Sequence, residues 1–342
     1  MIRGRGAFAL AAAVACLLAV AGRPARAYVR YRTAAGAPLA WPGTCLGIIV
    51  YPAALADMMP ADQVIAAATA AADAWSAGQV AGTALDIQVA STDLDPPAAG
   101  HDGQNSLLFR RDDWCKPTDP PGACSYDPAA LALTTVFART STGAILDADI
   151  EVNATTFAWS DLELAPQLSG DLQDLQNALT HEVGHFIGLD HPCFLPGTAP
   201  AGARPVDNLG DPVPDCDAAS EAILESTMFP SAQAGDLSKR TLAADDELAA
   251  REIYPATASA PTVCLPPEPK RPPPGGGCAI GGAPVATSGS LAGLVAVLAW
   301  CVARRRGRPR DVRAAIPAPE LRLHQEDGHA LQPARSNRSL RL

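Results

Sequence analysis

The sequence predicts an α+β domain occupying Tyr28 to Pro255 of a 342-residue chain, and three observations predict it. Five short apolar runs bounded by turn residues read as strands. One helical pattern separates the first two runs, and two further helices follow the last. On either side of this body the composition changes, so length alone does not argue for a second domain.

In chain order, residues 1–27 read as an export signal. Arg3 and Arg5 precede the apolar run Ala7 to Ala21, and Ala25-Arg26-Ala27 is a small-x-small cleavage site, so the mature chain is expected to begin near Tyr28. Cys45 to Tyr51 (CLGIIVY) is the first strand. Pro60 then introduces a helix from about Ala61 to Trp75, with Val64, Ile65, Ala68, Ala72 and Trp75 on one side. Ala84 to Ala90 and Asn105 to Arg110 are the second and third strands. Ala130 to Ala138 and Ala144 to Val152 are the fourth and fifth, joined by the turn Ser141-Thr142-Gly143. Within the fifth, acids Asp147, Asp149 and Glu151 alternate with apolar residues, the pattern of a strand with one wet face. His101-Asp102-Gly103 reads as a turn. Leu242 to Ile253 forms the last helix, before Tyr254-Pro255.

The helix between these parts carries the chemistry. Leu172, Leu175, Ala178 and Leu179 recur at helical spacing behind a cap expected near Asp171, and the segment ends in His181, Glu182, His185, Gly188 and His191, a complete H-E-x-x-H-x-x-G-x-x-H. His181 and His185, four apart, share one helix face and can bind one Zn²⁺. A continued helix would rotate His191 away. Gly188 is the residue that can adopt positive φ and turn the chain back, so that His191 becomes a third ligand. Three protein ligands leave a fourth position open, as in catalytic rather than structural zinc sites. Glu182 is placed to act as the base.

This extended motif resembles that of the metzincin metalloproteases, which add a downstream Met-turn. The matching segment is Ser226-Thr227-Met228-Phe229-Pro230, in which Met228 follows a loop of 36 residues, Pro192 to Thr227. HEVGHFIGLDH with S-x-M-x-P is most similar to the matrixin branch. The resemblance implies a five-stranded twisted mixed sheet, a zinc helix and a C-terminal helix, with Met228 as an apolar floor beneath the ion. It implies a monomeric zinc endopeptidase acting on extended polypeptides of extracellular proteins, with a specificity pocket shaped by about Ser231 to Thr241. Asp147 to Asn153 resembles the D-x-D-I-x-x-N strand of bacterial matrixins, which makes Asp147, Asp149 and Glu151 candidates for an edge strand beside the substrate. The chain departs from the family in lacking a P-R-C-G-x-P-D latch: only Tyr28 to Thr44 precede Cys45.

Tyr28 to Pro255 holds 31 acidic and 10 basic side chains, a balance of −21, whereas the whole chain is −10. Such a body is not expected to bind nucleic acid, and its aspartates are candidates for structural Ca²⁺. Six of nine cysteines belong to the exported part, and six allow 15 pairings. Cys115 with Cys124 and Cys193 with Cys216 would each close a local loop, leaving Cys45 with Cys264.

Residues 256–277 read as a Pro/Gly-rich linker. Residues 278–306 contain Cys278 in a Gly-Cys junction, an uncharged run from Ala283 to Ala303 long enough to span a bilayer, and Arg304-Arg305-Arg306. This arrangement resembles myxobacterial C-terminal sorting signals, which makes Cys278 a candidate processing site. Residues 307–342 are basic, lack apolar periodicity, and are expected to be disordered. The expected location is the cell envelope or surface, with the chain anchored by the C-terminal helix or released after processing. Two other functions fit the motif: a non-catalytic surface binding protein that retains the metal, against which an intact Glu182 argues, and a zinc hydrolase of non-peptide bonds.

Overall fold

The computed structural model describes residues 28–257 apart from 169 and 201, then 264–270, and the backbone of 330–333. A two-residue strand β1 (Val29–Arg30) leads to β2 (Cys45–Val50), whose aliphatic run CLGIIV is the most apolar stretch of the sheet. Helix α1 (Ala61–Trp75) carries the chain back, so that β3 (Asp86–Ser91) lies parallel to β2. β4 (Ser106–Arg110), β5 (Ala132–Ala138) and β6 (Ile145–Asn153) complete a five-stranded mixed sheet in the order β5-β6-β4-β2-β3. Only β5 runs against its neighbour, because it reaches β6 through a tight turn in which Gly143 sits at φ 74°.

Beyond the sheet, β7 (Trp159–Ser160) pairs with β8 (Gln173–Asp174), which opens directly into α2 (Leu175–Phe186). β9 (Leu189–Asp190) pairs with β1, β10 (Ser231–Ala232) follows the Met228 turn, and α3 (Ala244–Ile253) closes the body. Within the tail expected to be disordered, β11 (Ala330–Pro333) pairs antiparallel with β5 and parallel with β10, extending the sheet to seven strands.

The core lies between the sheet and the two long helices. Val64, Ala67, Ala68, Ala71, Ala72 and Trp75 of α1 pack against Leu175, Ala178, Leu179 and Val183 of α2. The alanines on α1 leave little side-chain bulk on its inward face. Trp75 is fully buried, worth about 1.5–3 kcal/mol or more as apolar area. Its indole N–H is satisfied by the Thr180 carbonyl at 2.8 Å, which fixes α1 to α2 at the level of the histidines.

Three expectations change. β6 is not an edge strand: β4 holds one side of it and β5 the other, so Asp147, Asp149 and Glu151 are buried rather than set on a wet face or beside a substrate. Helix α2 is capped by Asp174, not Asp171, because Gln173 and Asp174 are still extended in the pairing with β7. The described part of the linker, residues 264–270, is tied to the body. Cys264 bonds to Cys45, Pro267 lies over Gly47, where an added Cβ would meet it at 2.6 Å, and the Lys270 amide donates to Gln104 Oε1. No helix among the described residues is long and apolar enough to cross a membrane. The signal segment 1–27, Cys278, the apolar run 283–303 and the arginines after it lie outside the described residues.

Candidate metal centre

Both ends of α2 are built to aim its histidines. At the start, the Asp174 carboxylate accepts the Asn177 amide at 2.8 Å, satisfying one of the orphan donors of the first turn. The Arg240 guanidinium closes on the same carboxylate, with Nη2 at 2.6 Å and Nε at 2.9 Å, and extends to Glu163 and Asp161. At the end, Gly188 adopts φ 97°, and a Cβ there would lie 2.7 Å from the Leu39 carbonyl oxygen. Only glycine meets both conditions. The chain turns into β9, held by its pairing with β1 and by the Tyr31 amide donating to the Gly188 carbonyl at 3.0 Å. This turn brings His191 back to the helix.

The three Nε2 atoms converge: His191 Nε2 is 3.1 Å from both His181 Nε2 and His185 Nε2. His181 Nδ1 contacts the Thr227 carbonyl at 2.7 Å and His185 Nδ1 the Leu189 carbonyl at 2.8 Å. A carbonyl oxygen can only accept, so each Nδ1 carries the hydrogen and each Nε2 keeps its lone pair for the cluster. Burial, the neighbouring His185 and the Lys239 charge hold His181 well below the usual imidazole range, which keeps it neutral. A tetrahedral ion with nitrogens at 2.0–2.1 Å sets them about 3.3 Å apart, so the observed spacing fits one divalent cation. Among the described residues this is the one cluster of three suitable donors.

Glu182 is 0% exposed and sits beside these rings. Its Oε2 accepts the Thr134 hydroxyl at 2.7 Å, and the same hydroxyl reaches the Glu182 carbonyl, so β5 fixes the direction of the carboxylate. Met228 is buried against the opposite side of the helix: a Cβ on Gly184 would stand 2.2 Å from its sulfur. The Met228 turn is itself clamped. Asp246 accepts the Thr227 amide at 2.7 Å and the Ser226 hydroxyl at 3.2 Å. The Lys239 ammonium meets the carbonyls of Phe229, Thr227 and Ser226.

His181, Glu182, His185, His191 and Met228 are thus brought together. Asp147, Asp149 and Glu151 are not part of this group. Asp147 Oδ2 accepts the Asp102 and Gly103 amides and Asp149 the Ser106 and Gly100 amides, so both hold the 100–106 loop onto β6. With their oxygens turned to that loop, they do not converge with a third acid on a Ca²⁺ position among the described residues. Glu151 accepts the Tyr126 hydroxyl and pairs with Arg110. All three expected disulfides are present: Cys45–Cys264, Cys115–Cys124 and Cys193–Cys216, the last stapling the loop between His191 and Met228.

Four contributors are not among the residues singled out from the sequence. Thr134, Lys239 and Asp246 approach the site from distant elements, and nothing in their local sequence marks them. Gly184 carried a signal, since a glycine inside a helix costs about 1 kcal/mol and calls for a packing reason. No protein-family model matches the chain, and no curated protein matches it.

Proposed function

We propose that the chain is a zinc-dependent endopeptidase of the matrixin type that is exported and cleaves extended polypeptides outside the cytoplasm. The observation that carries this reading is the meeting of three imidazoles on one point with a buried, oriented carboxylate beside them. The resemblance of HEVGHFIGLDH and STMFP to the metzincin pattern supports it. His181, His185 and His191 would hold the ion through Nε2. Bound there, Zn²⁺ lowers the pKa of a water to near 7 and polarises a carbonyl. Glu182 takes the proton of the attacking water and passes it to the departing amine nitrogen, the two duties of a general base and then a general acid. Thr134 keeps the Glu182 carboxylate directed by donating to Oε2. Thr134 lies on β5, whose outer side is taken at Ala132 and Leu133 by β11, so an extended chain laid along this strand passes next to the residue that directs Glu182.

The test compares the full-length chain with Glu182→Gln on an unstructured protein substrate, with bound zinc quantified in each. The parent should hydrolyse the substrate, lose activity to a chelator and regain it with Zn²⁺. Glu182→Gln should retain the metal and lose about 10²–10⁴-fold in turnover. Equal background turnover in both, with zinc bound, would leave a metal-holding binding protein.

A further inference from the structure

Lys239 is 3% exposed and makes no ion pair among the described residues. Taking an ammonium out of water costs several kcal/mol, and a methionine of similar length would fill the same space without that penalty. The charge is met by three carbonyls of the Met228 turn: Phe229 at 2.6 Å, Thr227 at 3.1 Å and Ser226 at 3.5 Å. Carbonyls gathered on one side of a turn repel one another, so a cation at their focus settles the turn in this conformation. The Thr227 carbonyl has two lone pairs. One faces Lys239 Nζ and the other accepts His181 Nδ1 at 2.7 Å. The amide side of Thr227 is held by Asp246. The Lys239 backbone amide donates to Asn177 Oδ1 at 2.7 Å, one turn before His181. A closed circuit results, from α2 through Lys239 and the Thr227 carbonyl back to a histidine of α2.

We propose that Lys239 is a positioning residue of the metal centre: it aims the Thr227 carbonyl at His181 Nδ1, and so holds His181 Nε2 toward the ion. This rests on the reading that the three imidazoles hold Zn²⁺. Partners of this kind behind a ligating histidine typically change metal affinity by about 10–100-fold. A role in packing alone would alter stability and leave affinity untouched.

Zn²⁺ affinity of the full-length chain is measured by competition with a chromogenic chelator, below the melting midpoint of every variant. Lys239→Met should weaken binding about 10–100-fold. Lys239→Gln, which keeps donors for some of the carbonyls, should fall between it and the parent. Leu85→Ala, at a buried apolar residue just before β3 that makes no hydrogen bond to the Met228 turn or the histidines, should lower the melting midpoint and leave Zn²⁺ affinity at the parent value. Parent-like affinity in Lys239→Met overturns the assignment. Should that variant fail to fold, parent-like affinity in Lys239→Gln overturns it. A parent chain that binds no Zn²⁺ would overturn the metal reading itself, a distinct result from equal binding by parent and variants.

Discussion

Gly184 has no side chain because the sulfur of Met228 and the indole of Trp75 already occupy the space one would need. A Cβ there would lie 2.2 Å from Met228 Sδ and 2.9 Å from the Trp75 ring. Three packed groups therefore set the distance between α2 and the Met228 turn, and α2 carries two of the three clustered histidines. Gly184→Ala gains helix propensity of up to about 1 kcal/mol, but overpacking of this kind costs about 1–3 kcal/mol, so a net loss is expected in a thermal melt. Met228→Ala in the same chain should recover part of the loss, since the added methyl then enters space the thioether has left. Strict additivity of the two changes would show that the contact is not tight. Thr134 works at the same scale: a hydrogen bond to a charged group contributes about 1.5–3 kcal/mol, so Thr134→Val should lower turnover by about 10–100-fold while zinc content stays constant.

At the scale of the element, the N-terminus of α2 depends on one guanidinium. Arg240 joins Asp174, which caps the helix, to Asp161 and Glu163. The Glu163 carboxylate is largely exposed and its pair contributes little, whereas Asp174 is buried. Arg240→Met leaves that carboxylate uncompensated and should cost about 3–5 kcal/mol in a denaturant titration. β6 gives a pH signature. Burial pushes the Asp149 carboxyl up to about 8, with the Asp147 and Asp102 charges adding to this and the Gly100 and Ser106 amides opposing it. The unfolded chain ionises the same group near 3.9. Between these values the native state holds a proton that the unfolded state has lost. This contribution to stability is therefore full below about pH 4 and falls as pH rises to 8, by at most about 1.4 kcal/mol per pH unit. Asp149→Asn should flatten that part of the slope when denaturant midpoints at pH 5 and pH 8 are compared with the parent. The strands and long helices themselves were legible to within a few residues, because apolar runs and 3.6-residue spacing are local properties. The place of β6 was not, since the alternation of acid and apolar residues reads the same whether the acids meet water or the amides of a loop 45 residues away.

Across the whole molecule, the three disulfides divide the work by span. Cys115–Cys124 and Cys193–Cys216 close loops within 9 and 23 residues, whereas Cys45–Cys264 joins residues 219 apart and ties the chain beyond α3 to the first strand of the sheet. The pairing was readable because local loops left one partnership over; the strap it anchors was not, since a proline-rich stretch carries no periodicity that would show it lying against β2. Pro267 over Gly47, the Lys270 amide on Gln104 Oε1 and the Lys270 ammonium on the Asp102 carbonyl hold this strap along the sheet. A cross-link of this span restricts the unfolded chain most, and such bonds typically contribute about 2–4 kcal/mol. Cys45→Ala with Cys264→Ala should lower stability by that amount. It should also free Lys270, because two hydrogen bonds and a proline contact on an exposed surface do not by themselves hold the strap. Arg271 is followed by Pro272, where trypsin does not cut, so cleavage after Lys270 is the informative event. Brief non-reducing tryptic digestion read by mass spectrometry should show this cut several-fold faster in the double variant; equal rates would mean that the strap is held by its own contacts and not by the cross-link.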